Sequence, residues 1–491
     1  MADVRSDRPF AYDELDYPVV LSTDMSPDRI RASALAHGLA GPSVETASYL
    51  EIGCASGINA TAFAASTPGA RAVGFDLAAG AIAVGVERAR AAGITNVDLH
   101  QGDILTYPRD GEKFDYIAAH GVFAWIPQHV RGPMLELIAA RLAPGGIVYL
   151  GYDALPTASV KYAINRFLVG AIQHIPDPMQ KISVAMKLAE VLARHQRGFS
   201  RFKTVLDHLV KEVPKYIPGY FYHDWIAEHY APISLPDLAK AAAPYGLAFA
   251  GNASLTEIEL EDLDEEARNI LQILGADQVQ RNVIVDLMRG SHSYRTDLFV
   301  RADAPPPIQP QPWRQLSWAF SGTREEIVDE GTPATRYVHG GVTAICRTPN
   351  VVKVVDFLFE RSPGEFSHDA LRAATGLSED ELDGVLTDQI VRRLLDSHAS
   401  AQPFVLKTGE RPTASGLTRT LFAGDDQAPN LRHRMIKLED GASRLFVALS
   451  DGTRRFEDIA AAINEVYGAA VSAAEARDLG HRLAQLGLFE A

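Results

Sequence analysis

The sequence Tyr-Leu-Glu-Ile-Gly-Cys-Ala-Ser-Gly at residues 49–57 constrains the fold of this chain more than any other stretch. A short apolar run ends in an acid, a glycine and a turn of small residues, and a helix-like segment, residues 58–65, follows directly. This order of strand, tight turn and helix start exposes backbone N–H groups at the tip of a parallel strand. The turn therefore predicts an α/β domain that binds a ligand at this point.

An acid follows at the distance expected for ribose recognition. A second strand-like run, residues 70–76, ends in Asp76, about nineteen residues beyond Gly57. Dinucleotide-binding folds carry a ribose-binding acid at about this spacing. The turn is built from small residues that let a ligand approach the backbone, namely Gly53, Ala55, Ser56 and Gly57. Turn and acid together predict a nucleoside pocket, although Asp76 would also suit a helix N-cap.

Strand and helix signals alternate between about residues 46 and 153. The strand-like runs are residues 48–53, 70–76, 97–101, 114–119 and 146–151. The helix-like segments between them are residues 58–65, 79–92 and 130–141. Such alternation predicts a Rossmann-like parallel sheet that is covered by helices on both faces.

The length of 491 residues is too great for one core, and about three domains are expected. We predict an N-terminal segment (1–45), the α/β domain (46–156), a helical and mixed α/β accessory domain (157–301), a linker (302–345) that contains a proline-rich stretch, and two small helical, winged-helix-like modules (346–400 and 401–491). The two modules would add separate small cores to the α/β fold.

The composition of the chain indicates which binding partners and which cellular compartment to expect. The net charge of −15 disfavours nucleic acid and favours cationic ligands, including lysine-bearing proteins, although the same charge also serves solubility alone. With only Cys54 and Cys346, neither a disulfide framework nor a zinc site is expected, and no metal is predicted. No apolar run approaches the roughly 20 residues that span a bilayer, and the first residues lack the apolar core of a secretory signal. We therefore expect a cytoplasmic protein without a membrane span.

The acids around the predicted pocket distinguish between cofactors. The turn lacks the lysine of a nucleoside-triphosphate loop. A dinucleotide oxidoreductase fits the turn alone, but Glu51 disfavours it because a pyrophosphate should not meet a carboxylate there. S-adenosylmethionine carries a cationic ammonium and a sulfonium, which Glu51 and Asp76 suit better. Asp103 would accept from the adenine amino group and Ile104 would pack on its ring, whereas the alternative for each acid is an ordinary strand-end or turn residue.

Four motifs carry a family resemblance, at residues 12–18, 50–57, 73–77 and 114–127. With them the chain resembles the class I S-adenosylmethionine-dependent methyltransferases, and closely the bacterial subgroup that carries a methyltransferase regulatory domain. Residues 220–228 and 289–301 are similar to that second domain. The subgroup includes the rickettsial protein-lysine methyltransferases that modify outer-membrane proteins. Here Asp153 replaces the family's usual asparagine, which favours a cationic acceptor or marks a different substrate.

The resemblance implies S-adenosylmethionine as cofactor and a set of binding residues. These are Tyr12, Tyr17, Glu51, Gly53, Ala55, Ser56, Gly57, Asp76, Leu77, Asp103, Ile104, His120 and Gly121. Tyr12 and Tyr17 would form a lid within residues 1–45, the alternative being a hydrophobic strap along the sheet. Residues 46–156 would be the methyltransferase domain and residues 157–301 the regulatory domain.

The acceptor would lie after the fourth and fifth strands, at His120, Trp125, Tyr152 and Asp153. His120 could take or relay a proton, or be a structural histidine. Trp125 could form a substrate wall or anchor a helix, and Tyr152 and Asp153 lie at the open edge of the sheet. From the second domain, Tyr222 and His223 could close the pocket, although a buried aromatic cluster is the stronger interpretation.

Three functions remain open from the sequence. The first is a protein-lysine N-methyltransferase whose partner is a protein with exposed lysines. The second is a methyltransferase for a small metabolite or natural product, and the third is a cofactor-binding regulator or scaffold. The acid-rich surface of residues 351–396 opposes DNA, so the C-terminal third is expected to contact protein, and we expect its removal to weaken protein modification more than cofactor binding.

Overall fold

The central sheet of the protein contains seven strands in the described part of the chain. In the computed structural model, residues 14–15, 17–197, 200–254, 264–274, 277–289, 293–391 and 394–490 are described. The strands are β1 (Ser48–Ile52), β2 (Arg71–Asp76), β3 (Val97–Gln101), β4 (Phe114–His120), β5 (Leu142–Asp153), β6 (Leu247–Asn252) and β7 (Tyr294–Arg301). Their order is β3-β2-β1-β4-β5-β7-β6, in which β7 is antiparallel to its neighbours β5 and β6 and the other six strands run in one direction. The predicted Rossmann-like α/β fold is confirmed.

Helices cover both faces of this sheet. They are α1 (Pro27–Ala36), α2 (Ile58–Ser66), α3 (Ala79–Ala91) and α4 (Gln128–Arg141). Side chains alternate along β1, because successive residues of a strand point to opposite faces. Leu50 packs in a core with Met134 of α4, whereas Tyr49 packs in a second core with Phe63 of α2. The sheet is therefore buried on both sides, and the ends of its parallel strands remain as the open edge.

The accessory helices follow β5. They are α5 (Ser159–Ile172), α6 (Pro178–Arg194), α7 (Arg201–Lys211), α8 (Pro218–Trp225), α9 (Leu235–Ala242), α10 (Glu265–Ile273) and α11 (Gln278–Arg289). Helices α5 to α8 pack on one another, whereas α9 packs in the core of the central sheet. β7 pairs with β5 from Ile147 to Asp153, so the segment predicted as a separate accessory domain also extends the central sheet.

Residues 302–345, predicted as a linker, contain strands. These are β8 (Ser317–Ala319), β9 (Thr323–Asp329), β10 (Thr332–His339) and β11 (Val342–Cys346). β9, β10 and β11 form an antiparallel sheet. Its hairpin turns fall at Glu330 and Gly331 and at Gly340 and Gly341, all with positive φ, as tight hairpins require. The proline-rich residues 304–312 suggested a linker, but these turn signals lie beyond them, so the linker prediction is wrong for the strands.

Helices with small sheets form the rest of the chain. The first group comprises α12 (Pro349–Glu360), β12 (Phe366–Ser367), α13 (His368–Thr375), α14 (Glu379–Val391) and β13 (Asp396–His398). The second group comprises α15 (Gly416–Phe422), β14 (Gln427–Pro429), β15 (Met435–Lys437), α16 (Gly441–Leu449), α17 (Phe456–Tyr467) and α18 (Ala473–Ala484). β12 and β13 flank β8, and β14 pairs with β15, so each group combines helices with a short sheet. None of the described helices is long and apolar enough to cross a bilayer.

Candidate active site

A cleft of about 2250 Å³ lies at the carboxyl edge of the parallel strands. Residues that follow β1, β2, β3, β4 and β5 line it, and the accessory helices α5 and α8 form its far wall. The carboxyl edge is where open α/β sheets bind their ligands. Within the described residues, no group of three or more His, Cys, Asp or Glu side chains is placed to hold a metal ion.

The turn after β1 has the backbone geometry of a close-approach site. Gly53 has φ +70°, and a Cβ atom there would lie 2.5 Å from Cγ2 of Val122. Ala55 also adopts positive φ, and Gly53, Ala55 and Ser56 line the cleft. Gly57 does not line it, because this residue is the N-cap of α2 and faces Leu99 behind the turn. Gly57 therefore shapes the turn instead of contacting the cleft.

Asp76 fastens the turn to the end of β2. Its Oδ2 accepts from the backbone N–H of Ala55 at 2.9 Å, and its Oδ1 accepts from the N–H of Ala78 at 2.9 Å. The N-cap of α3 is Ala78, so the alternative of Asp76 as an N-cap is wrong. Asp76 and the neighbouring Leu77 both line the cleft.

The end of β3 contributes the next two predicted residues. Asp103 and Ile104 line the cleft beside Gly102 and Phe75. The Oδ1 of Asp103 accepts from the backbone N–H of Leu105 at 2.9 Å. This bond is that of an ordinary turn aspartate, and contact of Asp103 and Ile104 with adenine stays a prediction.

The buried carboxyl group of Glu51 accepts two hydrogen bonds but has no cationic partner among the described residues. Its Oε1 accepts from Nδ2 of Asn59 at 3.2 Å, and its Oε2 accepts from the N–H of Ala60 at 3.0 Å. In the described part of the chain, no Lys, Arg or His side chain forms an ion pair with Glu51, and burial raises the pKa of Glu51 to about 8. A buried acid of this kind gains from a cationic ligand, so the donor set of the cleft fits the ammonium of S-adenosylmethionine.

His120 is a wall of the cleft and a poor proton acceptor. Its Nδ1 lies 3.0 Å from the hydroxyl of Tyr149, and its ring centroid lies 4.9 Å from that of Tyr294. Burial lowers the pKa of His120 to about 4, so the ring stays neutral at pH 7. The predicted proton relay near neutrality is therefore not supported, and the structural alternative is favoured. Gly121 follows with φ +68° and also lines the cleft.

Two of the predicted acceptor residues, Tyr152 and Asp153, lie on opposite faces of β5. Asp153 and Trp125 line the cleft. Tyr152 points away from it and donates a hydrogen bond to Oδ2 of Asp297 in the core. Because β5 continues to Asp153, its side chains alternate to the end, and neighbouring residues cannot both face the cleft. The prediction that Tyr152 touches the substrate is wrong for this reason.

Three residues near Asp153 were not predicted from the sequence: Lys161, Asp224 and Trp225. Nζ of Lys161 lies 2.9 Å from Oδ2 of Asp153 and 3.0 Å from Oδ2 of Asp224, and Trp225 lies beside them. Asp224 and Trp225 directly follow Tyr222 and His223 in the motif quoted for the regulatory domain, so that motif was the available signal. Nothing in the sequence around Lys161 marks it.

The N-terminal segment reaches the cleft through Tyr17, which lines it. Tyr12 lies outside the described residues. The hydroxyl of Tyr222 donates to Oε2 of Glu14 at 2.8 Å, and Nε2 of His223 lies 2.7 Å from the carbonyl oxygen of Leu15. These contacts connect the segment to α8 across the cleft, and its role as a lid stays a prediction.

Two regions of the chain match family models. Residues 50–146 match one described as methyltransferase domain, and residues 218–301 match one described as predicted methyltransferase regulatory domain. The chain carries a methyltransferase domain. Its cofactor is S-adenosylmethionine, as predicted from the carboxylates of the cleft.

Curated relatives of this methyltransferase include proteins from Rickettsia and Synechocystis. An uncharacterised protein of Rickettsia prowazekii (strain Madrid E) is 28% identical over 229 residues, which is 46% of this chain and 90% of that protein. A second one from the same organism is 25% identical over 60% of this chain and 53% of its own length. An uncharacterised protein of Synechocystis is 22% identical over 59% of this chain and 57% of its own length.

Solved structures share the fold over nearly the whole chain. PKMT2 from Rickettsia typhi has a TM-score of 0.78 and 20% identity, over 96% of this chain and 99% of that chain. The same protein in complex with AdoHcy gives 0.78 and 19% identity. The architecture of the methyltransferase domain with its accessory and C-terminal parts is therefore shared.

Proposed function

We propose that this methyltransferase transfers methyl groups to lysine amines of protein substrates. The observation that carries the proposal is the acidic and aromatic end of the cleft, where Asp153 and Trp125 already hold the ammonium of a lysine, Lys161. The name PKMT2 of the similar structure and the sequence resemblance to rickettsial protein-lysine methyltransferases agree with it.

The size of the cleft also supports a protein acceptor. Small-molecule sites enclose about 300–1,000 Å³, whereas this cleft measures about 2250 Å³. The excess room suits a polypeptide segment whose lysine enters beside the cofactor.

The chemistry requires a neutral amine. Bound S-adenosylmethionine supplies an electrophilic methyl group; a nitrogen–carbon bond forms as the carbon–sulfur bond breaks, and one proton leaves the nitrogen. Deprotonating a lysine of pKa about 10.4 at pH 7 costs about 4.6 kcal/mol. His120 is too weak a base to take this proton, because burial lowers its pKa to about 4. We propose that the substrate lysine enters as its ammonium beside Asp153 and Asp224, that one of these carboxylates takes the proton as the amine moves towards the methyl group, and that the aromatic wall at Trp125 aligns it.

Transfer of a labelled methyl group tests this proposal. The purified full-length protein is incubated with methyl-labelled S-adenosylmethionine and bacterial lysate proteins, and a matched lysate is first acetylated at its lysines. We expect labelled methyl-lysine in the untreated proteins and none in the acetylated ones, as measured by peptide mass spectrometry. Label in the low-mass fraction alone would instead support a small-metabolite methyltransferase, and cofactor binding without transfer would support a regulator or scaffold.

A further inference from the structure

Lys161 sits inside a group of side chains that we name the ammonium cage. The members of the cage are Trp125, Asp153, Asp224, Trp225 and Tyr230. Nζ of Lys161 lies 2.9 Å and 3.0 Å from the two carboxylates and 5.2 Å, 5.4 Å and 5.0 Å from the centroids of Trp125, Trp225 and Tyr230. Carboxylates and ring faces at such distances are what alkylammonium ions bind in proteins.

The cage belongs to the same cleft as the cofactor-binding turn. Asp153 ends β5 and Trp125 follows β4, whereas Asp224 and Trp225 end α8. These residues line the cleft together with Glu51, Gly53 and Asp76. The methyltransferase domain and the accessory helices therefore build the cage jointly, at the edge where methyl transfer takes place.

The cage contains more negative charge than one ammonium group balances. Two carboxylates face one ammonium, and the hydroxyl of Tyr230 donates to Oδ2 of Asp153 at 2.5 Å. In addition, Nε1 of Trp225 is buried and has no hydrogen-bond partner among the described residues. A purely structural ion pair would require neither the second acid nor three aromatic rings.

Lys161 itself is a poor methyl acceptor. Burial lowers its pKa, but Asp224 and Asp153 outweigh that effect and hold the pKa above its ordinary value. The nitrogen therefore keeps its proton while it lies between the two carboxylates, and any amine in the cage does the same until a carboxylate accepts that proton.

We infer that the ammonium cage is the binding site for the acceptor lysine and that Lys161 occupies it as an internal competitor, which must leave before a substrate lysine can enter. This inference rests on the proposed function, because it identifies the acceptor subsite of that reaction. Competition of this kind raises the apparent dissociation constant for an acceptor, because the intrinsic constant is divided by the fraction of time that Lys161 leaves the cage empty.

Two variants of Lys161 test the competition in the full-length protein. Lys161→Met removes the ammonium and keeps an unbranched side chain, whereas Lys161→Arg keeps the cage filled by a cation. The probe is N,N-dimethylpropylammonium chloride, measured by calorimetry. We expect Lys161→Met to bind the probe at least tenfold more tightly than the unmodified protein, and Lys161→Arg to bind it no more tightly.

Removal of one cage acid completes this comparison. Asp224→Asn in the Lys161→Met background should lose at least tenfold in probe affinity. Equal affinity of Lys161→Met and the unmodified protein, or no loss on Asp224→Asn, would overturn the inference.

A second measurement uses the unmodified protein, in case the variants do not fold. The rate at which N-acetoxysuccinimide acetylates Lys161 is followed by mass spectrometry with and without the probe, which cannot itself be acetylated. Displacement from the cage should raise this rate at least threefold relative to the same concentration of sodium chloride, and an unchanged rate would overturn the inference. Neither measurement uses methyl transfer, so failure of the lysate experiment would reject the proposed function and leave these results interpretable.

Discussion

Asp76 accepts hydrogen bonds from the N–H groups of Ala55 and Ala78 and borders the cleft with the same carboxylate. Loss of this carboxylate removes the charge-assisted hydrogen bonds to the turn and, if the predicted site is right, those to the ribose. We expect Asp76→Ala to weaken S-adenosylmethionine binding by about 2–4 kcal/mol, roughly 30- to 1,000-fold, as measured by calorimetry. The exposed Asp98→Ala on β3 is the control and should bind normally. Unchanged affinity in Asp76→Ala would contradict the assignment of the pocket.

Glu51 should couple cofactor binding to proton release. Its pKa of about 8, raised by burial, means that the carboxyl is about nine-tenths protonated at pH 7. An ammonium bound beside it favours the ionised form, so binding expels up to about one proton and the affinity increases as pH rises from 5.5 to 7. Calorimetry in phosphate and in Tris buffers, which differ in ionisation enthalpy, measures the number of protons released on binding. Glu51→Gln should abolish the Glu51 contribution, and identical proton release in both proteins would disprove the coupling.

The residues that could be predicted from the sequence are those whose roles depend on near neighbours. Gly53, Ala55 and Asp76 belong to a strand-turn-helix unit and the next strand, so local patterns identified them. Tyr152 was misassigned because the exact end of β5 decides which face a residue occupies. Lys161 could not be predicted, because it meets Asp153 of β5 and Asp224 of α8 only through tertiary packing.

At the scale of elements, β1 to β5 and the helices between them were predicted well because hydrophobic runs and turn residues specify them locally. The antiparallel addition of β7 to β5 could not be read from the sequence, since pairing across the intervening accessory helices depends on tertiary packing. The hairpins of β9, β10 and β11 had local turn signals, at Glu330 and Gly331 and at Gly340 and Gly341, which the preceding prolines obscured.

Helix α3 approaches the turn after β1 so closely that only a glycine fits at the contact. A Cβ atom at Gly85 would lie 2.2 Å from the carbonyl oxygen of Ser56. Gly85→Ala must push the helix or the turn aside, so we expect a loss of about 1–3 kcal/mol in the free energy of unfolding and weaker cofactor binding. Gly384→Ala in the exposed part of α14, where nothing lies within 4 Å, should instead stabilise by about 0.5–1 kcal/mol. Thermal unfolding gives the change in stability of each variant, and calorimetry gives its affinity for the cofactor. Equal changes in both variants would contradict the close contact.

At the scale of the whole molecule, the C-terminal part packs against the helix that follows the turn after β1. Leu417 of α15 packs in a cluster with Ile58, Ala62 and Ala92 of the methyltransferase domain. Nearby, the carbonyl oxygen of His433 accepts from Oγ1 of Thr23 at 3.0 Å. These contacts revise the expectation that removing the C-terminal third weakens protein modification more than cofactor binding, because part of that segment supports the cofactor-binding side of the cleft.

A hydrogen bond from the C-terminal part extends this support to Glu51. Asn59 donates from Nδ2 to Glu51 and accepts at Oδ1 from the N–H of Ser22, which fixes the orientation of its amide. Nε2 of His433 lies 3.2 Å from the same Oδ1. Burial lowers the pKa of His433 to about 3, so the ring is neutral and its Nε2–H must be the donor. A residue more than 370 positions away therefore positions the amide that holds Glu51.

Two substitutions of similar size test this long-range effect. His433 has φ +56°, and Gln and Leu incur similar backbone strain there, but only Gln keeps a donor that reaches Asn59. We expect His433→Leu to weaken S-adenosylmethionine binding about tenfold, corresponding to the roughly 1–2 kcal/mol of a lost buried hydrogen bond, and His433→Gln to stay within about twofold of the unmodified protein. Calorimetry on folded samples, verified by thermal unfolding, measures the difference. Equal affinities of the two variants would mean that the C-terminal part stabilises the domain without positioning Glu51.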